Sequence, residues 1–355
     1  MKKHINIPIF IPHEGCENLC IFCNQNKITG FNEIADRDIV PEIEQALQTI
    51  DPEQCDTQIA FFGGSFTGID RNLMLRLLAD AKRFIDSGKV TSIRLSTRPD
   101  YIDDEILLLL KNYGVTDIEL GIQSMSQQVL DACKRGHTTD DSIRACEKTV
   151  AHGFTLTGQM MVGLPLSTPE EELFTAQRMI ELGATCARIY PTVVFHKTAL
   201  CEMAQNGTYL PMTNEQAVVR SAAVYEVFLQ HNIKVLRVGL QSTEALTDET
   251  AVYAGANHVS LGELVINELY LSRMVSSFDK LQFQKNEKYQ LTIYCAKGET
   301  PKVAGHNCRN KDRIFSLFDQ KGIHIKNIKI TEIGTLQPFE VKTELTNQTT
   351  FNKRG

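Results

Sequence analysis

The chain is 355 residues long, 42% apolar and 23% charged, ordinary values for a water-soluble protein with one large core and a small appendage. Its 37 Lys and Arg against 43 Asp and Glu give a formal charge of −6, so bulk charge offers no argument for nucleic acid. No apolar run approaches the roughly 20 residues that span a bilayer, and Ile5 to Pro12 is too broken for a signal peptide; a cytoplasmic protein with no membrane partner is expected.

In chain order the strand candidates are Ile5–Pro12, Gln58–Phe62, Ser92–Thr97, Asp117–Gln123, Thr155–Val162, Cys186–Thr192 and Lys234–Leu240. Most are rich in Ile, Leu, Val, Phe or Thr, as strands buried on both faces are. Helical stretches alternate with them: Pro41–Ile50, Leu73–Ile85, Asp103–Tyr113, Thr139–His152, Pro169–Leu182 and Asn214–Gln230. In the second, Met74, Leu77, Leu78, Ala81 and Ile85 recur on one helical face. Thr168-Pro169-Glu170-Glu171 offers a cap, a proline in the first turn and then acids, the usual chemistry of a helix start.

This alternation predicts right-handed βαβ units and a parallel sheet. Six units fit before about residue 230, with a seventh strand after them, which is cramped for a closed eightfold barrel. An open, partial barrel is expected, with its ligand site at the carboxyl ends of the strands. From Glu244 the rhythm changes. Ser260–Phe278 reads as one long helix, and strands Tyr289–Ala296 and His324–Glu332 flank a helix over Asn307–Gln320. The expected organisation is a barrel over residues 1–240, an α+β extension over 241–341 and a polar, frayed tail over 342–355.

Ten cysteines are present, and three of them, Cys16, Cys20 and Cys23, fall within eight residues just after the first strand. The others are scattered, as small buried residues are in a reducing compartment. Three thiolates in one short loop can bind three irons of a cubane cluster and leave the fourth iron open to a substrate or cofactor. The competing reading is structural zinc with His13 as fourth ligand, although zinc sites draw more often on two separated pairs.

C-x3-C-x2-C with Phe22 before the last cysteine resembles the signature of the radical SAM superfamily, and supporting segments run across roughly residues 5–270. The resemblance implies a partial parallel (β/α)6 barrel with a small α+β extension, and a four-iron four-sulfur cluster on Cys16, Cys20 and Cys23. It further implies reductive cleavage of S-adenosyl-L-methionine to a 5′-deoxyadenosyl radical, with the electron coming from an external donor such as flavodoxin or ferredoxin. Phe61-Phe62-Gly63-Gly64-Ser65 looks like the glycine-rich segment that meets the cofactor's amino group, where glycine lets backbone approach closely. Gly121-Ile122-Gln123-Ser124 is similar to the segment whose Gln contacts the ribose, a task suited to a side chain that both donates and accepts. Lys134-Arg135-Gly136-His137-Thr138 resembles a recurrent R-G-H-T segment, with Arg135 facing the cofactor carboxylate and His137 in a helix-capping or structural role. Arg98 and Arg188 are the candidate catalytic residues, directed at substrate or at that carboxylate.

Within the superfamily, Thr97-Arg98-Pro99-Asp100, Arg188-Ile189-Tyr190-Pro191-Thr192 and Leu236-Arg237-Val238-Gly239 follow the radical SAM core of the Elongator catalytic subunit. The oxygen-independent coproporphyrinogen oxidases are also similar but place a carboxylate where Arg98 stands. The Elongator-type cysteines have a longer first spacing, and no counterpart of that subunit's acetyltransferase domain is expected within these residues. The leading expectation is radical chemistry on a tRNA base; the alternatives are a small-molecule or tetrapyrrole-like substrate, and a zinc-stabilised binding module without catalysis. The lysines and arginines of the last third, from Lys280 to Lys329, read more readily as a solvated surface than as an RNA face.

Overall fold

The computed structural model describes residues 2–11, 20–23, 37–240, 251–284 and 287–348. Seven strands form one parallel sheet in the order β1-β2-β3-β4-β5-β6-β8: β1 Lys3–Ile11, β2 Cys55–Gly63, β3 Ser92–Thr97, β4 Val115–Gln123, β5 Thr155–Val162, β6 Cys186–Pro191 and β8 Lys234–Val238. Each corresponds to an apolar run read from the sequence. The intervening helices are α1 Val40–Leu47, α2 Arg71–Asp86, α3 Asp104–Asn112, α4 Gln127–Ala132, α5 Thr139–Ala151, α6 Pro169–Glu181, α7 Ala199–Gln205 and α8 Asn214–Gln230.

The helices begin where side chains can satisfy the free N–H groups of a first turn. Thr138 with Asp141, Thr168 with Glu171 and Thr213 with Gln216 each form a reciprocal capping box, and Asp70 and Asp103 cap α2 and α3. Helix α2 buries Leu73, Met74, Leu77, Leu78, Ala81 and Phe84, with Ile85 only half-buried at the edge of that stripe. Each of the buried Leu, Met and Phe side chains contributes roughly 1.5–3 kcal/mol by leaving water.

Alternate residues of the strands serve different neighbours. In β4, Ile118, Leu120 and Ile122 are fully buried, while Asp117, Glu119, Gly121 and Gln123 occupy the other face. That second face is concave. Arg188 of β6 reaches over β5 to Glu119 of β4, and its guanidinium lies 5.3 Å from the ring centroid of Phe62 on β2. Residues on strands this far apart in sheet order meet only if the sheet is curled, which makes it an open half-barrel. A short antiparallel pair, β7 Val193–Phe195 with β9 Val252–Gly255, follows β6.

The chain divides into two units, residues 1–217 with 227–259, and residues 218–226 with 260–355. The second contains α9 Leu261–Phe278, α10 Thr300–Ala304, α11 Arg309–Gln320 and a three-stranded sheet. Its central strand, β10 Lys288–Cys295, is parallel to β11 His324–Glu332 and antiparallel to β12 Val341–Asn347. Tyr270, Met274, Leu291, Ile293, Ile314 and Phe318 are central to its core.

Two expectations change here. Helix α11 starts at Arg309 rather than Asn307, because Asn307 and Cys308 take φ of +52° and +60°. Residues 342–347, expected to fray, form most of β12, with Val341, Thr343 and Leu345 alternating with exposed Lys342, Glu344 and Thr346. Two apolar residues in seven were enough, because Leu291 and Ile293 of β10 lie directly across from Leu345 and Thr343.

Candidate active site

Cys20 and Cys23 follow β1, the first strand of the curled sheet; Cys16 lies outside the described residues. Cys20 is buried and Cys23 half-buried, and the Cys23 N–H donates to the Cys20 carbonyl at 3.0 Å, closing a turn. Between them Ile21 is held on both sides. Its N–H donates to the carbonyl of Cys133 at 3.1 Å, and its carbonyl accepts from the N–H of Leu200 at 2.9 Å. Cys133 caps the end of α4 and Leu200 lies in the first turn of α7, so the loop uses backbone groups that helix ends leave over. The Ile21 side chain packs with Val129, Leu164 and Leu200, and Phe22 lies against the same cluster.

Arg135 joins this loop to the end of β4. Its Nη1 is 3.4 Å from Cys20 Sγ, and its Nη2 donates to the Gly121 carbonyl at 2.9 Å. A guanidinium therefore supplies positive charge beside a potential ligating sulfur. A Cβ at Gly121 would sit 2.8 Å from Arg135 Nη2 and 3.0 Å from Gln123 Nε2, so a side chain there would disturb both groups. Gln123 is 5% exposed and takes φ of +67°, and its Oε1 has no hydrogen-bond partner among the described residues. A buried acceptor on strained backbone marks a place where a ligand completes the structure.

At the end of β2, Gly63 takes φ of +106°, and a Cβ on it would lie 2.7 Å from the Ile11 carbonyl oxygen. Only glycine fits that approach of β2 to β1. The Gly64 N–H donates to the same oxygen, and the Ser65 carbonyl accepts from Gly68 N–H at 2.9 Å in a 3-10 turn. Two cysteines alone do not complete a metal site among the described residues. The thiols, the adjoining guanidinium, the glycine-lined strand ends and the orphaned amide oxygen nonetheless fit a thiolate-held cluster with a polar cofactor beside it.

Arg98 is 1% exposed and makes a bidentate ion pair with Asp100, with Nε at 2.9 Å and Nη2 at 2.6 Å, and its guanidinium stands 5.4 Å from the Tyr101 ring centroid. His137, expected to cap a helix or make a structural hydrogen bond, does neither: Thr138 caps α5, and both ring nitrogens are buried without partners among the described residues. Burial, with Arg135 close by, pushes its pKa down to about 3, so the ring is neutral.

Arg188 belongs to a separate group deeper on the concave face. Its Nε donates to Glu119 Oε2 at 2.7 Å and its Nη1 to Tyr190 Oη at 3.4 Å. Burial pushes the Glu119 carboxyl above its ordinary range, and Arg188, Arg94 and Arg237 pull it back without cancelling that effect. Arg94 pairs with Asp117 at 3.1 Å. The hollow of the sheet is thus polar and rich in arginine. Sequence reasoning singled out Arg188 but missed Glu119; the signal was the alternation Asp117, Glu119, Gly121, Gln123 within an otherwise apolar strand.

Comparison with known proteins places these features in a lineage. Two family patterns match in succession, the Radical SAM superfamily over residues 10–178 and the Radical_SAM C-terminal domain over residues 184–270. The sequence is 24% identical to a tRNA uridine(34) acetyltransferase of Methanocaldococcus jannaschii, over 59% of this chain and 41% of that one. It is also 24% identical to the heme chaperone HemW of Bacillus subtilis, over 69% of this chain and 66% of that one. The chain spans less than half the length of the acetyltransferase it matches. Among solved structures, the archaeal Elp3 of Methanocaldococcus infernus shares the fold with a TM-score of 0.59 at 20% identity, over 76% of this chain and 63% of that one.

Proposed function

The chain belongs to the radical SAM superfamily of enzymes, and on that footing we propose that it cleaves S-adenosyl-L-methionine reductively and uses the product to modify a tRNA base. In this reading Cys16, Cys20 and Cys23 hold a four-iron four-sulfur cluster, and Phe22, Gly63, Gly64, Ser65, Gln123 and Arg135 form the cofactor's surroundings. When bound, the cluster and its cofactor supply a 5′-deoxyadenosyl radical that removes hydrogen from the substrate. Arg135 adds positive charge beside Cys20, Gln123 presents Oε1 to a hydroxyl of the cofactor, and Gly63 lets β2 close against β1. Arg188, fixed by Glu119, gives the hollow a cation for an anionic or hydrogen-bonding substrate, and Arg98 braces the end of β3 through Asp100. The electron comes from an external one-electron donor such as a flavodoxin or ferredoxin.

The observation that carries the proposal is the convergence of Cys20, Arg135, Gly121 and Gln123, with one buried acceptor left open. The tRNA half is supported by the acetyltransferase relative and by the polar, arginine-lined hollow. The likeness to the heme chaperone favours a second reading, a tetrapyrrole-like substrate, but that reading calls for an apolar pocket. The test is anaerobic reconstitution with iron and sulfide, then addition of S-adenosyl-L-methionine and a strong reductant. Iron loading with 5′-deoxyadenosine formation is expected, accelerated by tRNA and not by porphyrin. A colourless, zinc-loaded protein that forms none would return the chain to a non-catalytic binding role.

A further inference from the structure

Charge is unevenly divided along the chain. Residues 260–355 carry 15 Lys and Arg against 10 Asp and Glu, whereas residues 1–259 carry 22 against 33. The net acidity of the whole hides a basic extension inside an acidic protein, and such an asymmetry is an electrostatic footprint for a polyanion.

The sheet of the extension has one face to offer. Leu291 and Ile293 of β10 are fully buried in the core with residues of α9 and α11, and Ser277 Oγ on α9 meets Thr343 Oγ1 of β12 at 2.8 Å, so this face is covered by helices. The alternate residues form the opposite face. Gln290 and Tyr294 lie along its centre, Asn327 and Lys329 on β11, and Lys342 and Glu344 on β12, with Thr292 paired to Lys329 and Tyr294 to Lys342. Asn327, Lys329, Lys342 and Glu344 are exposed, and no Leu, Ile, Val or Phe stands among these positions.

We propose that this open face of the β11-β10-β12 sheet is a docking surface for RNA, an unpaired stretch lying across Tyr294. Protein interfaces are built on clusters of buried apolar and aromatic anchors, and this face has a single tyrosine among polar and charged residues. A surface for single-stranded RNA needs cations for phosphates, amides and hydroxyls for base edges and 2′-hydroxyls, and an aromatic ring on which a base can stack. Lys329 and Lys342 flank the face on its two outer strands, the amides of Gln290 and Asn327 are adjacent in register, and Tyr294 is the aromatic ring in the middle strand. Glu344 is the acid within the group; its Oε2 accepts from Tyr294 Oη at 2.8 Å, which fixes the end of the ring and leaves the pair of lysines in excess. The inference rests on the RNA half of the function proposed above and names the surface that would carry it.

The experiment measures binding of labelled bulk tRNA and of poly(U) to the full chain across a salt series. The Lys329→Glu, Lys342→Glu double variant is compared with Arg309→Glu, Lys321→Glu, an equal change of charge at exposed positions off this face. The face variant should bind about tenfold or more weakly, with a poly(U) salt slope lower by roughly 0.7 for each phosphate no longer neutralised, while the control keeps its affinity. Tyr294→Ala should weaken poly(U) binding and Tyr294→Phe should not. Circular dichroism melting checks folding, and the milder Lys329→Gln, Lys342→Gln pair replaces the reversal if it unfolds. Equal losses in face and control variants, or no loss in either, would overturn the assignment of this face while leaving RNA binding in place. A wild-type chain that binds no RNA would overturn it together with the tRNA reading, and 5′-deoxyadenosine formation without RNA would still stand.

Discussion

The hollow of the half-barrel and the open sheet face of the extension handle charge in opposite ways. In the hollow, buried charged side chains are paired: Glu119 with Arg188, Arg94 with Asp117, Arg98 with Asp100. On the outward sheet face of the extension, Lys329 and Lys342 are exposed. Burial is what separates the two patterns. A charge removed from water must find a partner, whereas an exposed one keeps its hydration and is available to a ligand. Chemistry in the hollow therefore depends on fixed geometry, and recognition on the sheet depends on ionic strength.

Substitutions can break this comparison, and the largest effect belongs to the cysteine loop. Cys20→Ala or Cys23→Ala is expected to abolish both iron retention after reconstitution and 5′-deoxyadenosine formation. Iron content and product chromatography check this, and retention of both in either variant would sink the ligand assignment. Next comes Glu119→Gln, which leaves Arg188 buried against a neutral partner. It should cost about 3–5 kcal/mol in denaturant unfolding, the usual penalty for breaking a buried pair.

A pH titration sharpens the contrast further. His137 has its pKa lowered by burial from 6.5 to about 3 in the folded chain. Below about pH 6.5 the unfolded chain takes up a proton that the folded one refuses, so stability falls as pH drops from there towards about 3 and is unaffected above that window. His137→Asn should flatten that slope in urea melts collected across the range. Loss of the Thr168 capping box by Thr168→Ala should cost about 1 kcal/mol. Smallest of all, Lys329→Gln on the open sheet should change stability by less than about 0.5 kcal/mol, although RNA affinity responds. A large destabilisation there would mean that the face is not free in the sense argued.

The seven strands of the half-barrel were legible because strands buried on both faces have no choice but to be apolar runs, bounded by capped helices. Strands β7 and β9 were not, since three or four residues are too few to show a period, and their pairing joins segments far apart in the chain. Strand β12 escaped notice for a different reason. One of its faces is solvated, and half of its inward positions are Thr and Asn. Within the site, Cys20, Gly63, Gln123 and Arg135 could each be found from a local motif. Glu119 showed only as a polar position in the alternation of its strand, because its role depends on Arg188, a partner on another strand far along the chain.

The two hydrogen bonds that grip Ile21 also impose an order of assembly. Cys20 and Cys23 leave the ribosome early, but the carbonyl of Cys133 and the N–H of Leu200 that set their loop are synthesised much later. A nascent chain that has made the first strands of the half-barrel still lacks both anchors. Under the proposed function, a cluster would therefore be loaded on the late or finished polypeptide, and machinery delivering iron and sulfide would meet this protein with most of the curled sheet already formed.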